Sequence, residues 1–315
     1  MTRLAALANG VRTLDESVSR AKEAERLGYE SVWVTQLPDA RDAAVLLAAY
    51  AAATHRVRLG TGVLPIYTRH PSAMAQMAAS LDELSAGRFI LGIGVSHKVT
   101  VEAMWGLTLE HPVDAMREYI SIVRTSLADG SASADGKFFS AHWSYSGPRR
   151  STMPIMISAL SPRMLELAGE LADGAVLWMC GPSYIRDVVL PHVRAGRDKA
   201  GKSMEGFEIV AAVQTSLTTN LDGARGVFRQ VVERYSNLPF YRKVMDASGY
   251  AEELAAGKVS DALIDDLSAV GDEAQIKQSL TRFRDAGVTL PCVFPIGSHE
   301  GAAGFVPTLE AALGA

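Results

Sequence analysis

The chain has 315 residues, 48% of them hydrophobic, and a formal net charge of −4 with acids and bases interspersed. Such a chain buries a large core, but it offers no concentrated basic face for nucleic acid or a membrane surface. The two cysteines, Cys180 and Cys292, lie far apart without metal-ligand spacing, so a reduced, cytoplasmic setting is expected.

The N-terminal MTRLAALANGVRTLDESV has no long apolar run behind its basic start, so no signal peptide is expected, and no later run is long enough to span a bilayer. Short apolar runs then predict strands in chain order: RLAALAN around Leu4, Ser31–Val34, Val57–Val63, Arg88–Val95, Pro154–Ser158, Gly174–Met179, Phe207–Leu217 and Val288–Phe294. Helical periods separate them, as in TLDESVSRAKEAERLG, where Thr13 or Asp15 caps and Gly28 stops the helix. Near-continuous apolar strands imply burial on both faces and therefore a parallel sheet covered by helices. Eight such units predict a (β/α)8 TIM barrel with insertions, an open doubly wound sheet being the alternative. Two stretches break the alternation: the aromatic KFFSAHWSYSG of 137–147, expected as a hairpin or loop, and a helical excursion over 231–272. Neither has linker composition, so one domain over 1–315 is expected.

In a closed barrel the reactive groups come from the C-terminal strand ends, where the loops share one mouth. The third end, GTGVLPIYTRHP from Gly60 to Pro71, has glycines that let backbone approach a flat ligand or that thin a crowded rim. The fourth end, GIGVSH from Gly92 to His97, repeats the device. At the fifth, Ser158-Ala159-Leu160-Ser161-Pro162-Arg163 opens a helix whose free N–H groups and dipole favour an anion. Cys180-Gly181-Pro182-Ser183 offers a similar turn at the sixth. Trp178, with Trp143 and Tyr145, either walls an apolar substrate pocket or belongs to the packed core. Met74, Met77, Met153 and Met156 are read as packing. His70, before Pro71, reads as a solvent or capping residue. No two histidines have helical metal spacing, so no metal site is expected.

SVWV, GTGV, the arginine and proline opening a helix, SAGRFILGIGVSH and LSPRMLELAGELADGAVLW together resemble the bacterial luciferase-like superfamily of flavin-dependent oxidoreductases. The resemblance is closest to the branch that uses the deazaflavin coenzyme F420, and it is specific from about Ala21 to Gly181. It implies a luciferase-like barrel in which Gly62-Val63 stands at a bulge with a non-prolyl cis peptide backing the central flavin ring. It further implies a phosphate site at the backbone of Leu160, Ser161, Arg163 and Met164 with Gly181 nearby, and Val95, Ser96 and Thr100 are assigned to cofactor binding. Sugar-phosphate dehydrogenases of that branch carry an acidic residue and a histidine where this chain has Gln36 and Leu37, so sugar-phosphate oxidation is not expected. They carry a glutamate where this chain has His97, which is read as a proton donor or acceptor, or as a hydrogen-bonding group beside the ring. Gln36 and Trp178 are assigned to the substrate pocket. The function expected is hydride transfer between coenzyme F420 and a small organic substrate. An FMN-dependent monooxygenase or a non-catalytic flavin-binding barrel is the alternative, and a homodimer stands among the assemblies expected.

Overall fold

The computed structural model describes residues 3–315. Eight strands form a closed parallel ring: β1 (Ala5–Leu7), β2 (Ser31–Val34), β3 (Arg58–Thr61), β4 (Phe89–Gly94), β5 (Ile155–Ser158), β6 (Gly174–Trp178), β7 (Glu208–Leu217) and β8 (Leu290–Pro295). Each pairs with its successor, and β8 returns to β1 through Ala5 opposite Cys292 and Ala6 opposite Val293. The barrel is therefore the (β/α)8 architecture, not the open sheet.

Both faces of the strands are buried, which explains their unbroken apolar runs. Side chains pointing in, among them Leu7, Trp33, Ile90, Met156, Val210 and Leu290, form one cluster. Those pointing out join a larger cluster with the helices. The helices that follow β1 to β5 are α1 (Leu14–Arg26), α2 (Ala43–Ala53), α3 (Pro71–Leu84), α4 (Pro112–Asp129) and α5 (Pro162–Leu171). Thr13 caps α1 in a reciprocal box with Glu16. Opposite the mouth, Arg3 binds Glu30 at 2.5 and 2.7 Å and Glu208 at 2.9 Å, tying the starts of β1, β2 and β7.

The aromatic stretch belongs to an antiparallel hairpin, Ser131–Asp135 with Ser140–Ser144, that begins earlier than the sequence indicates because SASAD has no strand-like side chains. Glu118 of α4 holds its tip by accepting from the backbone N–H groups of Lys137, Phe138 and Phe139 at 2.8–3.0 Å. After β7 come α6 (Leu221–Ser236), α7 (Pro239–Met245) and α8 (Asp261–Leu267), then a short strand Ser268–Gly271 that pairs with the far end of β7.

β3 and β4 pair as Leu59 with Phe89 and Gly60 with Ile90, then resume as Leu64 with Ile93 and Pro65 with Gly94. The β3 side thus carries one extra residue, a bulge. The Gly62–Val63 peptide within it is cis. Thr61, fully buried, fills the interrupted ladder: its hydroxyl donates to Gly92 O at 2.8 Å and accepts from Gly92 N at 2.7 Å. Thr61→Val removes both bonds and leaves two buried backbone groups unpaired, at a cost of about 1–3 kcal/mol each. Thermal unfolding should show a drop of several degrees for Thr61→Val and a much smaller one for Thr61→Ser, which keeps the hydroxyl.

Candidate active site

Trp33 sits in the barrel interior, 1% exposed, with its indole N–H donating to Ser31 Oγ at 2.8 Å. A Cβ on Gly60 would lie 2.6–2.8 Å from three atoms of that ring, so glycine here makes room for the indole. On Gly62 a Cβ would lie 3.5 Å from the ring, an ordinary contact. The opposed glycines of β4 serve the bulge: a Cβ on Gly92 would meet Thr61 O at 2.0 Å, and one on Gly94 would meet Val63 Cγ2 at 2.6 Å. Trp33 and the bulge thus enforce the glycines of the two strands together, and of the two readings open for Gly60 the contact with Trp33 supports packing.

The rest of the GTGVLPIYTRHP stretch has local duties. Arg69 donates to Asp42 Oδ2 at 2.5 Å, while Asp42 Oδ1 accepts from Ala44 N and Val45 N and caps α2. His70 caps α3: its Nδ1 accepts from Ser72 N at 3.3 Å, which leaves Nε2–H to donate to Ser140 O at 2.9 Å. Gln36 Oε1 accepts from Ala43 N at 2.9 Å, so this carboxamide is already engaged at the start of α2. Gln36, Pro38, Leu64, Pro65, Arg69 and Trp105 line a cavity of about 260 Å³ beside the mouth.

Past β4, Val95, Ser96 and His97 are half-buried and Thr100 is buried, with Ser96 in the left-handed region at φ 60°. The His97 ring makes no hydrogen bond to any described residue, although the backbone carbonyl accepts from Val101 N at 2.9 Å, and the ring rests against Tyr241 and Tyr235 with centroids 5.6 and 6.1 Å away. Burial holds its pKa below that of a free imidazole, so the ring is neutral at neutral pH. Trp178 leans on Phe294 at 5.8 Å, and its indole N–H is buried without an acceptor. Gln214 Oε1 and Ser216 Oγ, on the mouth half of β7, are also buried and unpaired. Small residues over Trp33 with unmatched polar atoms at the neighbouring strand ends fit a flat heterocycle with a polar edge.

The turn after β5 has Ser161 as the N-cap of α5 without a capping side chain, followed by Pro162. First-turn N–H groups of Arg163 and Met164 are therefore available to an anion. The Met164 side chain is 5% exposed in the core, so only its backbone can take part, whereas Arg163 is exposed. Tyr184 donates to Leu160 O at 2.8 Å and ties this turn to the one after β6. Gly181 in that second turn faces a protein carboxyl, since a Cβ there would lie 2.2 Å from Asp266 Oδ2. Burial raises the Asp266 pKa.

Of the two readings of Trp143 and Tyr145, packing is the one that their contacts support. The Trp143 indole donates to Ser126 Oγ of α4 at 3.2 Å, and Tyr145 N donates to Gly130 O just past that helix, so both cover α4 and not the mouth. Met74, Met153 and Met156 are buried in the core, as read. Tyr235 and Tyr241 carry no local sequence signal, because helices far along the chain deliver them. Among the described residues no group of three or more His, Cys, Asp or Glu is arranged to hold a metal, and no helix is long and apolar enough to cross a membrane.

A family model described as luciferase-like monooxygenase matches residues 2–290. The 5,10-methylenetetrahydromethanopterin reductase of Methanolobus tindarius is 31% identical over 299 residues, covering 89% of this chain and 90% of that protein. Among solved structures, an F420-dependent secondary alcohol dehydrogenase in complex with an F420–acetone adduct superposes with a TM-score of 0.83 at 21% identity, over 99% of both chains. The coenzyme F420-dependent tetrahydromethanopterin reductase of Methanopyrus kandleri superposes with a TM-score of 0.81 at 24% identity, over 98% of this chain and 96% of that one.

The two glycines of β3 and its bulge separate packing from ligand space. Gly60→Ala forces a methyl into the Trp33 ring and should cost about 1–3 kcal/mol. Gly62→Ala meets only an ordinary contact and should melt close to the wild type. Differential scanning calorimetry of both variants checks the contrast, and a larger loss at Gly62 would reverse the assignment.

Proposed function

The chain belongs to the luciferase-like monooxygenase family, and on that premise we propose that it is a coenzyme F420-dependent oxidoreductase acting on a small organic substrate. The observation that carries this reading is the floor of Gly62, Val63 and Gly94 above Trp33, at the end of the strand that leads to the half-buried His97 ring. One relative 31% identical is named 5,10-methylenetetrahydromethanopterin reductase, and another, 30% identical, is named a putative coenzyme F420-dependent oxidoreductase. That supports F420 over FMN and leaves the substrate open.

Gly62 and Val63 would back the ring, with Val95, Ser96 and Thr100 along its edge. Trp178 Nε1, Gln214 Oε1 and Ser216 Oγ would gain the hydrogen bonds they lack. The Ser161, Arg163 and Met164 backbone, with the adjoining Leu160, would hold a phosphate, and Gly181 would keep the second turn against Asp266. The deazaflavin, when bound, supplies the hydride chemistry. Trp178 and Phe294 would exclude water from the open face, and His97 as the neutral ring would accept a substrate proton or donate a hydrogen bond from its N–H, and once protonated would return that proton. At the end of β2 the carboxamide of Gln36 is engaged by Ala43 N, and the nearby Asp42 carboxylate is taken up by Arg69 and by the N-terminus of α2, so neither competes for that role.

Fluorescence titration at low salt tests the reading. Saturable binding of F420 with much weaker binding of FMN is expected, and the reverse order would point to an FMN monooxygenase. Binding of either without turnover of any tested substrate would favour a non-catalytic barrel. Ser161→Asp puts a carboxylate at the phosphate turn, and a like-charge contact of about 1 kcal/mol or more should weaken F420 by roughly fivefold or more. Unchanged affinity would remove the phosphate from this turn.

A homodimer is part of the same proposal. α2 has no charged residue in AAVLLAAYAAA, and its outward side carries Val45, 70% exposed, with Ala48, Ala49 and the exposed Ala52. Covering such a face with a second copy removes apolar surface from water. Sedimentation velocity should give a dimer for the wild type and a monomer for Val45→Asp, and a wild-type monomer would end the assignment.

A further inference from the structure

The helices between β7 and the last strand send two tyrosines back over the mouth, although neither stands at a strand end. Tyr235, near the end of α6, and Tyr241, in α7, meet edge to face with centroids 4.7 Å apart and planes at 83°. His97 lies against both, tilted 57° to Tyr241 and 79° to Tyr235. Tyr235 is also edge-on to Trp178 at 5.8 Å, which links the insertion to the sixth strand end. The insertion is well anchored: Tyr241, Met245, Phe228 and Ile264 share a buried cluster with Met179, the residue that follows β6.

An imidazole on a loop beyond a strand end normally relies on a hydrogen bond to select one ring orientation and one tautomer. His97 has none from the described residues, so packing against the two phenol rings is what fixes it. We infer that Tyr235 and Tyr241 are positioning residues that hold the His97 ring in one orientation toward the barrel mouth, which makes the helical insertion part of the reactive site. The inference rests on reading His97 as the proton-handling group.

The groups facing His97 are consistent with packing control. From the insertion come only the two phenols, whose ionisation burial opposes. Behind Tyr241, Cys180 of the sixth strand end is a buried thiol whose ionisation burial likewise opposes. On its own segment Lys98 is paired with Glu102 at 3.7 Å. No charge is needed to account for the depressed His97 pKa; loss of water around the ring suffices. Opening the aromatic contact should therefore hydrate the ring and raise that pKa.

The test uses the full chain without cofactor, with histidine rings labelled for NMR. In the wild type, His97 should titrate below a free imidazole, as one tautomer, with ring-proton contacts to both tyrosines. Tyr241→Phe keeps the ring and should leave the titration unchanged. In Tyr241→Leu and Tyr235→Leu the midpoint should move up toward a free imidazole and the tautomers should mix. Identical titrations in all four proteins would overturn the inference. So would missing contacts in the wild type, whether or not the leucine variants fold. In the turnover assay Tyr241→Leu should lose about tenfold or more in kcat with little change in KM. Full activity in His97→Ala would retire the proton-transfer role, yet leave the titration result standing.

Discussion

One indole sets the shape of this barrel's mouth. Trp33 is among the largest fully buried side chains and occupies the interior where the neighbouring strand must pass it. Only a residue without Cβ fits beside its ring at position 60. One step later β3 departs from regular pairing and carries its extra residue, and β4 must then be glycine twice to let the bulge in. A wide indole below, a thinned wall above and a threonine hydroxyl standing in for a ladder bond form one mechanical unit. Interiors packed like crystals transmit such a constraint between strands.

The two ends of the barrel use different physics. Opposite the mouth, Arg3, Glu30 and Glu208 pair at the water boundary, partly buried. At the mouth, His97, Trp178, Tyr235, Tyr241 and Phe294 meet through ring faces and edges. Charges clamp one end, whereas aromatic rings line part of the other. Apolar surroundings of that kind strengthen the dipoles that they enclose.

The eight barrel strands were legible because burial on both faces leaves an apolar run that no surface strand shows. Their ends were less so: the run to Val63 reads as one strand, whereas the ladder breaks after Thr61 because of a bulge that only the partner strand reveals. Ser131–Asp135 and Ser268–Gly271 escaped notice because small, mixed residues give no alternation. His70 was readable as a cap, since a polar residue before a helix-opening proline has a local role. Strand position placed His97, Trp178 and the Ser161 turn without knowledge of their contacts. Tyr235 and Tyr241 could not be found that way, because their place depends on how a distant helix folds back. The aromatic rhythm that pointed Trp143 toward the mouth serves a hairpin lying against α4.

The seam between β8 and β1 has a consequence in time. Ala5 and Ala6 find their partners only at Cys292 and Val293, close to the other end of the chain. During synthesis the first strand therefore has no partner on that edge until residue 292 is made. The entropy of closing so large a loop favours local β–α pairs before the long-range closure. The insertion that carries Tyr235 and Tyr241 precedes this seam in sequence, so the candidate site's residues are made before the eighth strand completes the ring. A nascent chain arrested short of residue 290 would hold most of its chemistry on an unclosed wall, exposed to neighbours able to pair with its edge.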